Sequence, residues 1–316
     1  SMAVVPVMTS QVQAADIAVG VSTQITTDST ERKDGNFKYV ISDGVAVITG
    51  LVNPDISKSI DLVIPEKIGS YVVKEIAEKA FEGNTNIKSV KFNEGLEVIG
   101  RAAFKDCVNL SGTLDIPSTV TWIKGGDLNW RVGSSYCWDY TTDVNNKGGA
   151  FYGTGIEELV IEKSTVNVTI GASAFENCSE LTSLEIPGGV TSIGEAAFSG
   201  CSKLASVNIP KDIASIEAST FNGCSALTEI VIPSGVTGIG ASAFSGCSGL
   251  AALDIPTGVT AIGEAAFSGC SGIKQFTIPC GVTKIENSVF SGCSSLAYIN
   301  IHSGIASIGD NAFNGC

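Results

Sequence analysis

The chain has 316 residues, of which 44% are hydrophobic and only 16% charged, so a large buried core is available. Its net charge of −13 at pH 7 excludes the clustered Lys and Arg that phosphate backbones require, and nucleic acid is therefore not an expected partner. No run of 18 apolar residues occurs, so no segment reads as a membrane-spanning helix.

In chain order, Ser1–Met2 reads as a cloning scar. Ala3 to Ala14 reads as the remnant of a secretory signal, with Val12 and Ala14 at the small-residue cleavage positions and the charged start missing. The first cysteine is Cys107, so lipid anchoring near that site has no support. Residues 15–36 are polar and read as a linker. Phe37 to Val52 holds two alternating apolar runs around Ser42-Asp43-Gly44, a hairpin signal, and residues 37–63 are read as an N-terminal capping hairpin.

From Ile64 a single unit repeats, with its cleanest copy at Ile186 to Cys201, IPGGVTSIGEAAFSGC. Its phenylalanine recurs at 175, 198, 221, 244, 267, 290 and 313, in steps of 23 residues. Self-similarity at this period predicts a mostly β leucine-rich-repeat solenoid of short parallel strands and turns, about ten coils over residues 64–316. The hairpin before it is then the natural cover for the apolar surface that a stack of coils exposes at its end. Phe104 and Phe151 lie 47 residues apart, so about one repeat length is inserted, assigned to residues 124–147. The pattern stops in mid-repeat at Cys316 without a polar cap, which reads as a sequence that ends before the natural protein does.

Each repeat column has a physical role. Leu184 and Ile186 alternate as inward strand residues, and Pro187 ends the strand because it has no N–H to donate. Val190 and Ile193 form an opposite wall, and Phe198 fills the coil. Two residues after each phenylalanine only Gly, Asn or Asp occurs (Gly83, Asp106, Asn177, Gly200), which predicts a left-handed backbone in every coil. Eight of the ten cysteines follow a phenylalanine by three. Stacked in register their Cβ atoms would lie ~4.8 Å apart, beyond the roughly 3.5–4.5 Å of a disulfide, so they read as a ladder of buried free thiols. A line of thiols is also no tetrahedral metal site. Cys280 stands where sister repeats carry Gly, Ser or Thr and is expected near the surface; Cys137 falls in the insertion.

The unit I-P-x-x-V-x-x-I-G-x-x-A-F-x-G-C-x-x-L-x-x-L resembles the BspA-type leucine-rich repeats of bacterial surface proteins, over about Phe37 to Cys316 apart from the insertion. The resemblance implies a secreted or cell-surface location, adhesion, and binding of host or other extracellular proteins. The insertion departs from the family's regular repeats, so no partner of that part carries over.

Signals for chemistry are few. The single histidine, His302, replaces a proline of sister repeats and reads as a strand-end residue; no G-x-S-x-G elbow or phosphate-binding loop accompanies the turn glycines. Acids on the outward strand column, Glu185 and Asp254, recur every third coil, ~14 Å apart at the strand spacing, too far for an acid–base pair. No enzyme activity, cofactor or metal is expected. In or beside the insertion lie Trp122, Trp130, Arg131, Tyr136, Trp138 and Tyr140, residue types enriched in binding hot spots, and these are the candidate binding residues. The opposing reading is that they anchor a long loop onto the solenoid. Asp143 to Gly148 has the beginnings of a calcium loop, but Lys147 stands where a ligand would be and the distal Glu is absent. The expected function is a non-enzymatic protein-binding or adhesion module. The alternatives are a carbohydrate- or cell-wall-binding module, and a structural spacer for a further domain.

Overall fold

The computed structural model describes residues 28–52, 58–126, 131–132, 135–136 and 148–316. Every regular element among them is a β-strand. The fold opens with an antiparallel meander: β1 (Asp28–Asp34), β2 (Phe37–Ser42) and β3 (Val45–Leu51). Asp43 and Gly44 at the β2–β3 turn take φ of 51° and 78°, the left-handed pair that a tight hairpin requires. The linker reading of residues 15–36 is thus corrected over Asp28–Asp34. That polar run forms a strand because β2 supplies its backbone partners, with Arg32 opposite Tyr39 and Asp34 opposite Phe37.

β3 then pairs in parallel with β6 (Tyr71–Ile76), Ile48 opposite Ile76, so the meander continues directly into a wall of the repeat array. Between them lie β4 (Ile60–Val63), which starts the other wall, and the two-residue β5 (Lys67–Ile68), which folds back on β6.

From there most coils contribute a short strand to each of two parallel walls, although residues 251–256 form no strand on the first. In the first, Leu159, Leu184, Val207 and Ile230 stand opposite one another in successive coils. In the second, Ile76, Ile99, Ile123, Ile170 and Ile193 do the same. The constant register follows from the constant period: a slip of one residue would turn every inward Leu or Ile to solvent. Between the walls the phenylalanines stack. Ring centroids from Phe104 through Phe151, Phe175 and Phe198 are 5.2, 5.3 and 5.5 Å apart and within 4° of parallel. Phe104 to Phe290 are fully buried, and Phe92 and Phe276 brace the stack edge-on. Phe104 and Phe151 are direct neighbours although 47 positions apart in the chain, so the stack passes over the insertion.

A third ladder runs along the turns beside this stack. In the coil of Phe198, the N–H groups of Ala196, Phe198 and Gly200 donate to the carbonyls of Ala218, Thr220 and Asn222 in the next coil, at 2.9, 3.0 and 2.7 Å. The predicted left-handed column is present, with φ of 57° at Asp106, 61° at Asn177 and 75° at Gly200. A second left-handed column, two residues before each stacked phenylalanine except Phe151, escapes the sequence reading. Lys79, Ala102, Ser173, Ala196, Ser219, Ser242, Ala265, Ser288 and Asn311 all have φ between 54° and 58°. An L-residue pays about 1–2 kcal/mol for that backbone, so the residue type gives no warning; here the strain is offset because the conformation aims the N–H at the next coil.

The two columns respond oppositely to substitution. Ala265→Gly should leave thermal stability unchanged or raise it, because it relieves the left-handed strain. Gly269→Ala, at φ 72° with only ordinary contacts around the added methyl, should lower stability by about 1 kcal/mol. Melting curves of the two variants check the pair of signs.

Candidate recognition surface

The insertion leaves and re-enters the coil at one point. Lys124 and Gly126 are still hydrogen-bonded into the array, Lys124 N–H to Ile99 and Gly126 N–H to Ala172, both at 2.8 Å. A Cβ on Gly126 would stand 3.3 Å from the backbone nitrogen of Gly148. The excursion therefore runs over 127–147 rather than from Lys124. Lys124 to Gly126 stay in the coil because the ladder of carbonyls and amides continues through them. The glycines at this mouth are sterically required: a Cβ on Gly125 would come 2.2 Å from the backbone of Ala172.

Of the six aromatic and arginine candidates, Trp122 is placed in full. It lies half-buried on the outer side of the second ladder, between Val98 and Thr169. The Lys124 ammonium sits 5.2 Å from its ring centroid and 2.9 Å from Glu75 Oε1, an ion pair that bridges two coils at the mouth of the insertion. Arg131–Val132 pairs antiparallel with Ser135–Tyr136, which puts Arg131 directly opposite Tyr136. Trp130, Trp138, Tyr140 and Cys137 lie outside the described residues, as does the stretch from Asp143 to Lys147. The structure therefore brings Arg131 and Tyr136 together as backbone partners and places Trp122 beside the mouth.

The cysteines form the buried ladder that the spacing implies. Each Sγ–H donates to the carbonyl of the phenylalanine one coil back: Cys201 to Phe175 at 3.3 Å, Cys247 to Phe221 at 3.1 Å, Cys293 to Phe267 at 3.1 Å. Cys107, Cys178, Cys201, Cys224, Cys247, Cys270 and Cys293 are buried and unpaired, whereas Cys280 and Cys316 are exposed. Burial pushes the Cys178 thiol from its ordinary 9.0 up to about 12, with hydrogen bonding from Thr154 pulling partly back. Burial likewise raises Cys224 to about 12 and carries Cys201 well above the ordinary value, with the neighbouring thiols adding to the shift at Cys201. Such thiols are neither nucleophiles nor metal ligands at neutral pH.

His302 behaves as a strand-end residue. Its Nδ1 accepts the Gly304 N–H at 3.1 Å, which leaves the proton on Nε2 to donate to the Pro279 carbonyl at 3.0 Å. Among the described residues no group of three His, Cys, Asp or Glu is arranged to hold a metal ion. No helix among them is long and apolar enough to cross a membrane.

A continuous surface among the described residues is the outward side of the first ladder, where two residues per coil face solvent. Val231 is 69% exposed, and Val160 is exposed on the same column. Asn208, also in that column, is occupied: its amide accepts from Ile186 N–H at 2.8 Å and donates to the Ile186 carbonyl at 3.2 Å, replacing a strand bond.

Six copies of the model for the BspA type leucine rich repeat region match the chain, over residues 60–128, 145–271 and 198–316. The chain belongs to that family. Among solved structures it is similar to a leucine-rich repeat protein from Bacteroides ovatus, at 23% identity and a TM-score of 0.58, over 90% of this chain and 80% of that one. It also matches a leucine rich cell surface protein from Faecalibacterium prausnitzii at 23% identity and a TM-score of 0.40, covering 86% and 94% of the two chains. The pneumococcal vaccine antigen PcpA matches at 16% identity and a TM-score of 0.44, covering 90% and 86%. No curated protein matches the chain as a relative.

Two measurements test the thiol ladder. Alkylation of the native protein at pH 8, counted by mass and with Cys137 set aside, should modify Cys280 and Cys316 and spare the seven buried thiols until denaturant is added. The pH dependence of stability has a defined sign. Below about pH 9 the thiols are protonated in both folded and unfolded chains, and their contribution is fully present. Between about 9 and 12 only the unfolded chain ionises, so stability should fall by up to about 1.4 kcal/mol per pH unit for each thiol. Urea midpoints across that range should drop steeply, and less steeply in Cys224→Ala.

Proposed function

We propose that this protein is a secreted or surface-displayed protein-binding module of the adhesion class, recognising a host or other extracellular macromolecule without catalysing a reaction. Membership of the BspA-type family supports this reading, because the resemblance carried by the repeat unit implies surface adhesion. The observation that carries it is the long outward face of the first ladder, a regular solvent-exposed surface with large apolar groups such as Val231 left uncovered. The insertion is proposed as a second element of recognition, displayed beside Trp122 at a single mouth in the array. On this reading the Asp28–Leu51 meander is the N-terminal cap, residues 1–14 are a leader remnant, and the array is the display scaffold from Ile60, since Ile60–Val63 of the expected 37–63 cap pairs with the repeat strand Ile87–Lys91.

The geometry of the mouth supplies a clean test. Gly126 and Gly148 are adjacent, so residues 127–147 can be replaced by a short turn without breaking the Phe104–Phe151 stack. Parent and deletion are compared for capture of purified extracellular-matrix and serum proteins. Capture by the parent alone assigns the site to the insertion, and equal capture by both assigns it to the repeat faces. Failure of both proteins to capture any partner, with both shown to be folded, would overturn the adhesion reading.

A further inference from the structure

The outward face of the first ladder has a charge character that specifies its partner. Between Asp115 and Asp254 the two solvent-facing columns carry five carboxylates, Asp115, Glu158, Glu185, Glu229 and Asp254, and no Lys or Arg. Among the described residues none of the five is in an ion pair, and only Glu158 accepts a side-chain hydrogen bond, 2.8 Å from Thr113 Oγ1. On other surfaces of the array, four acids are paired with a base from the adjacent coil. Lys74 reaches Glu97 at 2.5 Å, Lys105 reaches Glu82 at 3.2 Å, Lys203 reaches Glu180 at 2.5 Å, and Arg101 pairs with Glu78. The register on the first ladder offers the same opportunity, since Glu185 stands between Val160 and Asn208, and Glu229 beside Ser206. A basic residue at any of those neighbours would pair with an acid, and none is there.

Val160 and Val231 lie in the same columns as the acids, and Val231 is the more exposed. A partner that covers them must also desolvate the flanking carboxylates, which is costly unless it brings positive charge. We infer that this face docks an extended, positively charged protein segment that alternates basic and aliphatic side chains. The inference rests on the protein-binding reading above and names the partner's chemistry. Six coils at ~4.8 Å span roughly 24 Å from Asp115 to Asp254, the length of about seven extended residues.

The test uses the full chain and two synthetic eight-residue peptides, one alternating Lys and Val, the other Glu and Val. The face variant combines Asp115→Asn, Glu158→Gln, Glu185→Gln, Glu229→Gln and Asp254→Asn. A control variant carries the same charge change on other surfaces: Glu66→Gln, Glu94→Gln, Asp212→Asn, Glu264→Gln and Asp310→Asn. By fluorescence anisotropy the Lys-Val peptide should bind the parent and the control within about twofold of each other, and the face variant at least about tenfold more weakly. Val231→Ser, which leaves the charge unchanged, should also weaken binding several-fold, and the Glu-Val peptide should not bind. Equal losses in face and control variants would reduce the effect to net charge and overturn the inference. So would equal binding of both peptides, or no binding of the Lys-Val peptide by the folded parent. Capture of a protein partner that survives the face variant would sink this inference while leaving the adhesion reading standing.

Discussion

The structure depends on one constraint: each coil must present the same hydrogen-bonding pattern to the coil before it and the coil after it. The turn beside each phenylalanine meets that demand with three parallel backbone bonds, as in Ala196, Phe198 and Gly200 to the following coil. All three amides point the same way along the stack, and the carbonyls that receive them belong to the next copy of the same turn. Two left-handed residues per coil are the conformational cost of this alignment. Once the turn is in place, the strand ladders and the phenylalanine stack inherit its spacing, and rings 5.2–5.9 Å apart fill the interior from Phe104 to Phe313.

The cysteines belong to the same device. The carbonyl of Phe198 accepts the N–H of Cys201 in its own turn at 3.3 Å, and the Cys224 thiol one coil on donates to it as well. A carbonyl oxygen has two lone pairs, and cysteine fills the second with little polarity of its own. Thr154 shows a variant of the solution: its hydroxyl donates to the Phe151 carbonyl and lies 3.3 Å from Cys178 Sγ. Among the described residues no buried side-chain N or O lacks a partner. The thiols are thereby structural, and their chemistry is silenced by burial.

Regularity also explains where individuality resides. A coil whose inward positions are dictated by its neighbours is free to vary only outward and at insertions. The outward columns of the first ladder have used that freedom to gather acids and valines. The mouth at Gly126 and Gly148 has used it to extend a long excursion without disturbing the core, because the array closes beneath it. The Glu75–Lys124–Trp122 contact ties that mouth to two coils.

The period of 23 by itself determined the repeat fold, the inward strand positions, the buried phenylalanines, the thiol ladder and the left-handed Gly/Asn/Asp column. All of these follow from residue types recurring in register, and Asp106 and Asn177 in place of glycine were enough to reveal the backbone. What only the tertiary structure decided are features whose residues carry no local mark. The second left-handed column holds ordinary Ala and Ser, because its strain is offset by a bond to another coil. Asp28–Asp34 reads as polar linker, yet becomes a strand against β2. Lys124 to Gly126 read as the start of the insertion, yet remain in the coil through bonds to Ile99 and Ala172. The outward column of Glu185 and Asp254 is legible from the period, but the register across the insertion that sets Asp115 beside Val160 is fixed only when the coils stack. A chain discloses what each position demands of its own residue, and which residues share a surface is settled when the coils stack.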